Sequence, residues 1–120
     1  MNDFEIGIDI EKIKRFDNKD NSKDENFLKK IFTQKELDYC FSKNNASAHL
    51  AGRYAAKEAV IKALSSNYEK KLVYNEIEII NNLSGIPEIV ILRPKLNDLK
   101  IKISISHDKD NAIAMAIIVH

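Results

Sequence analysis

RYAAKEAVIKAL (residues 53–64) sets alanines and branched apolar residues at helical spacing, yet places Arg53, Lys57, Glu58 and Lys62 among them. With Arg53 at zero and about 100° per residue, Leu50, Tyr54, Ile61 and Leu64 gather between roughly 20° and 100° as one bulky stripe. Gly52, Ala56, Ala59 and Ala63 gather between roughly 240° and 300° as a second stripe of small residues. Glu58 and Lys62 fall between the stripes, at roughly 140° and 180°, beside Ala51 and Ala55. A helix with two packing faces is largely wrapped by protein, so its charges need partners. Two readings stay open for Glu58: an i,i+4 pair with Lys62, or a carboxylate aimed at a metal ion.

Outward from that helix, the chain opens with an expected strand, Glu5 to Ile10. Ile6, Ile8 and Ile10 share one face, and Gly7 and Asp9 share the other. Glycine on the Asp9 face leaves room for a ligand or another backbone. Asp9 is then either an N-cap for the short helix expected over Glu11–Phe16 or a metal ligand. FLKKIF (27–32) repeats apolar residues at helical spacing. Thr33 followed by Glu36 reads as a capping box, with Leu37, Cys40 and Phe41 as the apolar stripe behind it. The long helix is expected to begin near Ala48.

The second half changes period. Val73–Ile80, Pro87–Leu92, Lys100–Ser106 and Ala112–Val119 read as strands. NNLSGIP (81–87) is the turn between the first two, HDKDN (107–111) the hairpin loop between the last two, and PKLNDLK adds a helical turn. Ile101, Ile103 and Ile105 face one way, Ser104 and Ser106 the other, and His107 ends the strand. The expected fold is a single α+β domain over residues 1–120, with a mainly antiparallel sheet packed against the long helix.

Composition narrows the function. The formal net charge is +1, which offers no bulk attraction to nucleic acid or an anionic membrane. The basic run KIKR (12–15) lies in a region, residues 1–35, with equal numbers of Lys/Arg and Asp/Glu. No apolar run is long enough to span a bilayer, and the N-terminus lacks a secretory pattern. The single Cys40 reads as a buried structural thiol in a reducing compartment, so a cytoplasmic protein is expected.

GIDIEKIKRF (7–16), FTQKEL (32–37), LAGRYAAKEAVIKAL (50–64), GIP (85–87) and SISHD (104–108), followed by an alanine-alternating strand, occur in one order and spacing. Together they resemble the holo-acyl-carrier-protein synthases, the short bacterial 4′-phosphopantetheinyl transferases, over nearly the whole chain. The resemblance implies a magnesium enzyme that moves the 4′-phosphopantetheine arm of coenzyme A onto a serine of apo acyl carrier protein. Adenosine 3′,5′-bisphosphate is released, and the reaction supports fatty acid biosynthesis. It implies Asp9 and Glu58 as magnesium ligands and Lys62 as the cation that meets the pyrophosphate. Ser106 and His107 become phosphate-side contacts, with Arg53 and Lys57 as further coenzyme A-side positions on the helix. Arg15 becomes the basic residue that docks the acidic carrier. The residues leave the acceptor of the serine proton open, and the expectation is a water held by the metal or by Glu58. A homotrimer with active sites at subunit interfaces is also implied. Two places depart from the family pattern: Ile86 stands where a lysine is common, and Ser65, Ser66 and Asn67 stand where glycines are common. The rival class is a non-catalytic module that binds a carrier domain or nucleotide; a duplex-binding reading would rest on KIKRF alone.

Overall fold

Two glycines set how closely a sheet lies on the long helix. The computed structural model describes residues 3–64 and 72–119, and the long helix, α3, spans Ala46–Leu64. A Cβ placed on Gly7 would sit 1.9 Å from the Ala59 carbonyl oxygen and 2.9 Å from the Ala63 amide nitrogen. Strand β1 (Phe4–Lys12) therefore rests on the helix backbone itself, which only glycine permits. At Gly52 the neighbour is softer, Ile105 Cγ2 at 3.0 Å from the same constructed atom. The stripe of small residues is thus the close-approach face.

β1 pairs antiparallel with β5 (Asn111–Val119), and β5 pairs antiparallel with β4 (Lys100–His107). Ala112, Ala114 and Ala116 of β5 turn inward and are buried against α3. A second antiparallel sheet, β2 (Ile77–Asn81) with β3 (Pro87–Ile91), is hydrogen-bonded separately. The strands are all antiparallel, as expected, but they form two sheets rather than one.

The bulky stripe of α3 is divided: Leu64 is buried with Ala59, Ala63, Ile77 and Ile79, and the earlier half meets a different layer. Leu50 and Tyr54 are buried with Phe16, Leu28 of α1 (Glu25–Ile31), Phe32, and Leu37 and Cys40 of α2 (Gln34–Phe41). The capping box at Thr33–Glu36 closes α2 as read from the sequence: the Glu36 amide donates to Thr33 Oγ1 and the Thr33 amide to Glu36 Oε1. Cys40 is buried and unpaired, and burial pushes its thiol up to about 12. Among the described residues, no helix is long and apolar enough to cross a membrane.

Two elements differ from expectation. Glu11 and Lys12 stay in β1, so the helical turn is confined to Ile13–Phe16, and its N-cap is Lys12 rather than Asp9. Tyr74–Glu76 forms a short 3-10 turn before β2, not the start of a strand. The Glu76 carboxylate accepts the Val73 amide and both arms of the Arg93 guanidinium, at 2.9 and 2.6 Å, which pins that turn. The hairpin loop is held by Asp108, whose carboxylate accepts the amides of Asp110 and Asn111.

Candidate active site

Four charges raised the question of the α3 sequence, and the fold divides them into two pairs. Lys57 is wholly buried and donates to Glu36 Oε1 at 2.6 Å, the Ile31 carbonyl at 2.7 Å and the Tyr74 carbonyl at 3.0 Å. All three of its N–H donors are thereby spent inside the protein. Burial pulls the ammonium below the ordinary lysine pKa, against the counter-pull of Glu36. Glu36 also accepts the Ile79 amide of β2, so one carboxylate joins α2, α3 and β2. Arg53 is buried too, donating to Asn81 Oδ1 at 2.6 Å with its guanidinium 4.3 Å from the centre of the Tyr39 ring. The coenzyme A-side role expected for Lys57 has no free donor to rest on, whereas Arg53 reaches Asn81 with one arm and keeps its Nε buried without a partner among the described residues.

The other two charges gather with β1. Lys62 Nζ donates to Asp9 Oδ1 and to the Ile8 carbonyl, each at 3.0 Å. The Asp9 hydrogen bond is the main reason the Lys62 ammonium is held above its ordinary pKa, and Glu58 and Glu11 add to it. Lys62 is thus the common neighbour of Asp9 and Glu58. Asp9 Oδ2 is buried without a hydrogen-bond partner among the described residues. The sequence reading missed Glu11, two residues along the same strand face. Burial first, and then the neighbouring Asp9 carboxylate, push Glu11 up to about 7. Arg15 opposes that shift, reaching Glu11 at 3.1 Å while lying 4.9 Å from the centre of the Tyr54 ring.

Ser106 and His107 are placed elsewhere. Asp9 pairs across β5 with Ala114, an inward residue, whereas Ser106 pairs with Ile113, which faces outward. Ser106 and Asp9 are therefore on opposite faces of one sheet. His107 lines a cleft of about 770 Å³ with Lys12, Lys14, Asn45 and Ser47. That cleft is at the start of α3: His49, in the first turns of the helix, feels the charge of His107. His49 and Lys62 are thirteen positions apart, about 20 Å along the helix. A single chain does not close Asp9, Glu58 and Lys62 around Ser106 and His107. Ile86 is exposed in the β2–β3 turn, and Ser65, Ser66 and Asn67 lie outside the described residues.

Residues 5–117 match the family model described as the 4′-phosphopantetheinyl transferase superfamily. The chain belongs to that superfamily. Within it, a holo-(acyl-carrier-protein) synthase of Chlorobaculum tepidum is 43% identical over 114 residues, covering 95% of this chain and 97% of its own. One from Chlamydia trachomatis serovar D is 44% identical over 117 residues, with 95% and 98% covered. Among solved structures, the Helicobacter pylori holo-(acyl-carrier-protein) synthase in complex with coenzyme A superposes with a TM-score of 0.78 at 32% identity, over 94% of this chain and 98% of that one. The superfamily fold and the α+β arrangement described above thus coincide.

Proposed function

We propose that this chain, as one phosphopantetheinyl transferase domain, moves the 4′-phosphopantetheine arm of coenzyme A to a serine hydroxyl of apo acyl carrier protein. The serine oxygen forms a new bond to the β-phosphorus, and the bond to the adenosine 3′,5′-bisphosphate leaving group breaks. The observation that carries this reading is the Lys62–Asp9 contact beside Glu58, with Asp9 Oδ2 buried and unmatched.

Those residues fit a magnesium ion. An unsatisfied carboxylate oxygen is costly to bury, and a hard cation with oxygen ligands satisfies it. Among the described residues no three His, Cys, Asp or Glu side chains form a metal nest of their own. The proposed ligands are therefore Asp9 and Glu58, with water and the pyrophosphate as the remaining donors, the sparse protein ligation that magnesium accepts. When bound, the ion would neutralise and orient the pyrophosphate.

The chain's own groups supply the rest. Lys62, kept protonated by Asp9, places a positive charge against the pyrophosphate. Glu58 holds the water that takes the serine proton. Arg15, half exposed on the turn after β1, meets the acidic carrier. Ser106 and His107 serve as phosphate-side contacts from an adjoining subunit. The homotrimer that this requires is supported by the outer sheet face, where Phe4, Ile6, Ile8 and Ile10 stand exposed beside Ile113 and Met115. An apolar patch of that kind calls for a partner. A cytoplasmic setting is part of the proposal, consistent with the lone buried thiol.

The test is direct. Protein, magnesium, coenzyme A and apo carrier are mixed, and mass spectrometry should find the carrier heavier by one phosphopantetheine arm. No gain with several carriers would leave a binding module as the better reading. Glu58→Gln should lower turnover about a hundredfold at saturating magnesium, and full turnover would remove both roles given to Glu58.

A further inference from the structure

Arg15, Lys57, Lys62 and Arg93 each pair with a carboxylate. Arg53 instead donates through one arm to an uncharged amide, Asn81 Oδ1 at 2.6 Å, with its guanidinium 4.3 Å from the centre of the Tyr39 ring. It is 5% exposed, and its Nε is buried without a partner among the described residues. More basic groups gather around the same ring: Lys43 Nζ lies 4.8 Å from its centre, and the His49 ring 5.5 Å. A buried guanidinium with a spare donor, set among basic groups, is completed by an anion. Asn81 ends β2, and the hairpin tip fixes how its amide points. Its Nδ2 donates to the Gly85 carbonyl at 3.0 Å, which leaves Oδ1 as the atom that faces the guanidinium. Gly85, at φ +80°, donates its own amide to the Asn82 carbonyl, and Asn82 Oδ1 accepts the amides of Ser84 and Ile86. The tip is thus a closed set of bonds that ends on Arg53.

We propose that Asn81 is a positioning residue for coenzyme A, holding the Arg53 guanidinium so that its unmatched edge meets a phosphate of the nucleotide. This rests on the function proposed above, in which Arg53 is one of the coenzyme A-side positions implied by the sequence. An arginine fixed in advance by an amide and a ring spares the ordering of a long side chain when the anion arrives. The partner's lack of charge matters equally. A carboxylate at position 81 would orient the guanidinium and also neutralise it, whereas the Asn81 amide orients it and leaves its charge for the phosphate.

Two readouts test this: calorimetric binding of adenosine 3′,5′-bisphosphate, and steady-state transfer kinetics. Asn81→Ala releases Arg53 and should raise both the bisphosphate Kd and KM for coenzyme A about tenfold. KM for carrier should stay within about twofold, kcat should fall by less than about threefold, and the melting temperature should drop about 4 °C. Asn81→Asp keeps an acceptor for Arg53, and the charge-assisted bond offsets the one lost to Gly85, so the melting temperature should stay within about 2 °C. Kd and KM for coenzyme A should nevertheless rise by at least about tenfold, because the guanidinium is neutralised. A merely structural Asn81 predicts the reverse, full rescue of binding by the aspartate. An Asn81→Asp protein that binds the bisphosphate as wild type does, or an equal rise in KM for carrier in Asn81→Ala, overturns the assignment. Wild-type protein that neither transfers the arm nor binds the bisphosphate would instead sink the transferase reading, and this inference with it.

Discussion

Lys57 and Lys62 stand five positions apart on one helix, and each pairs with a carboxylate, at 2.6 and 3.0 Å respectively. Their surroundings separate them. Both side chains of the Lys57–Glu36 pair are 0% exposed, and Lys57 spends every N–H on the protein. In the other pair Lys62 is 53% exposed, and Asp9, 10% exposed, keeps Oδ2 buried without a partner. A pair that satisfies all its groups internally belongs to the fold. A pair left with an unmatched oxygen at an open edge is unfinished until something else arrives, and that is where a ligand is to be sought.

The sharpest way to break this contrast is to remove each lysine in turn. Lys57→Met conserves the stem but strands Glu36, and should cost about 3–5 kcal/mol in urea unfolding. Lys62→Ala removes a half-exposed ammonium but leaves the mostly buried Asp9 without its partner, and should cost about 1 kcal/mol, well below Lys57→Met. Turnover should nevertheless fall about a hundredfold with Lys62→Ala. Equal stability losses for the two would erase the distinction between them.

The two glycines under the sheet provide the next comparison. Gly7→Ala drives a methyl into the Ala59 backbone carbonyl, which cannot yield, so about 3 kcal/mol is expected. Activity should fall with it, because β1 carries Asp9. Gly52→Ala meets only the tip of Ile105, which can shift, and the gain of about 1 kcal/mol in helix propensity offsets the crowding. Calorimetric or urea unfolding should show Gly52→Ala near wild type and Gly7→Ala far below it.

Much of this was legible in residue order. The 3.6 period of α3 gave both stripes, the Thr33–Glu36 spacing gave the start of α2, and strand alternation gave the two faces of β1. What the pattern does not disclose is which face turns inward. Ile6, Ile8 and Ile10 are 57–61% exposed, contrary to the usual burial of isoleucine, because the bare Gly7 face is the one that fits α3. The partner of Lys57 was also hidden, since Glu36 lies far off in sequence and its capping role already explains it. Glu11 could have been found, being two residues from Asp9 on a strand. The 3-10 turn at Tyr74–Glu76 could not, because nothing local marks a turn held together by Arg93. The separation of Ser106 from Asp9 follows from the same alternation that named them, once the register with β5 is known.

The smallest effect concerns Arg15, where docking and site support compete for one side chain. Its guanidinium is half exposed, which suits an acidic carrier, yet it also holds Glu11 at 3.1 Å beside Asp9. Arg15→Glu should raise KM for carrier about tenfold and leave KM for coenzyme A nearly unchanged, the behaviour of a rim charge in a docking surface. Arg15→Gln, which adds no like charge next to Glu11, should show the same split in weaker form. A fall in kcat, or equal rises in both KM values, would mean that Arg15 acts through Glu11 on the magnesium side. The carrier would then have to dock elsewhere.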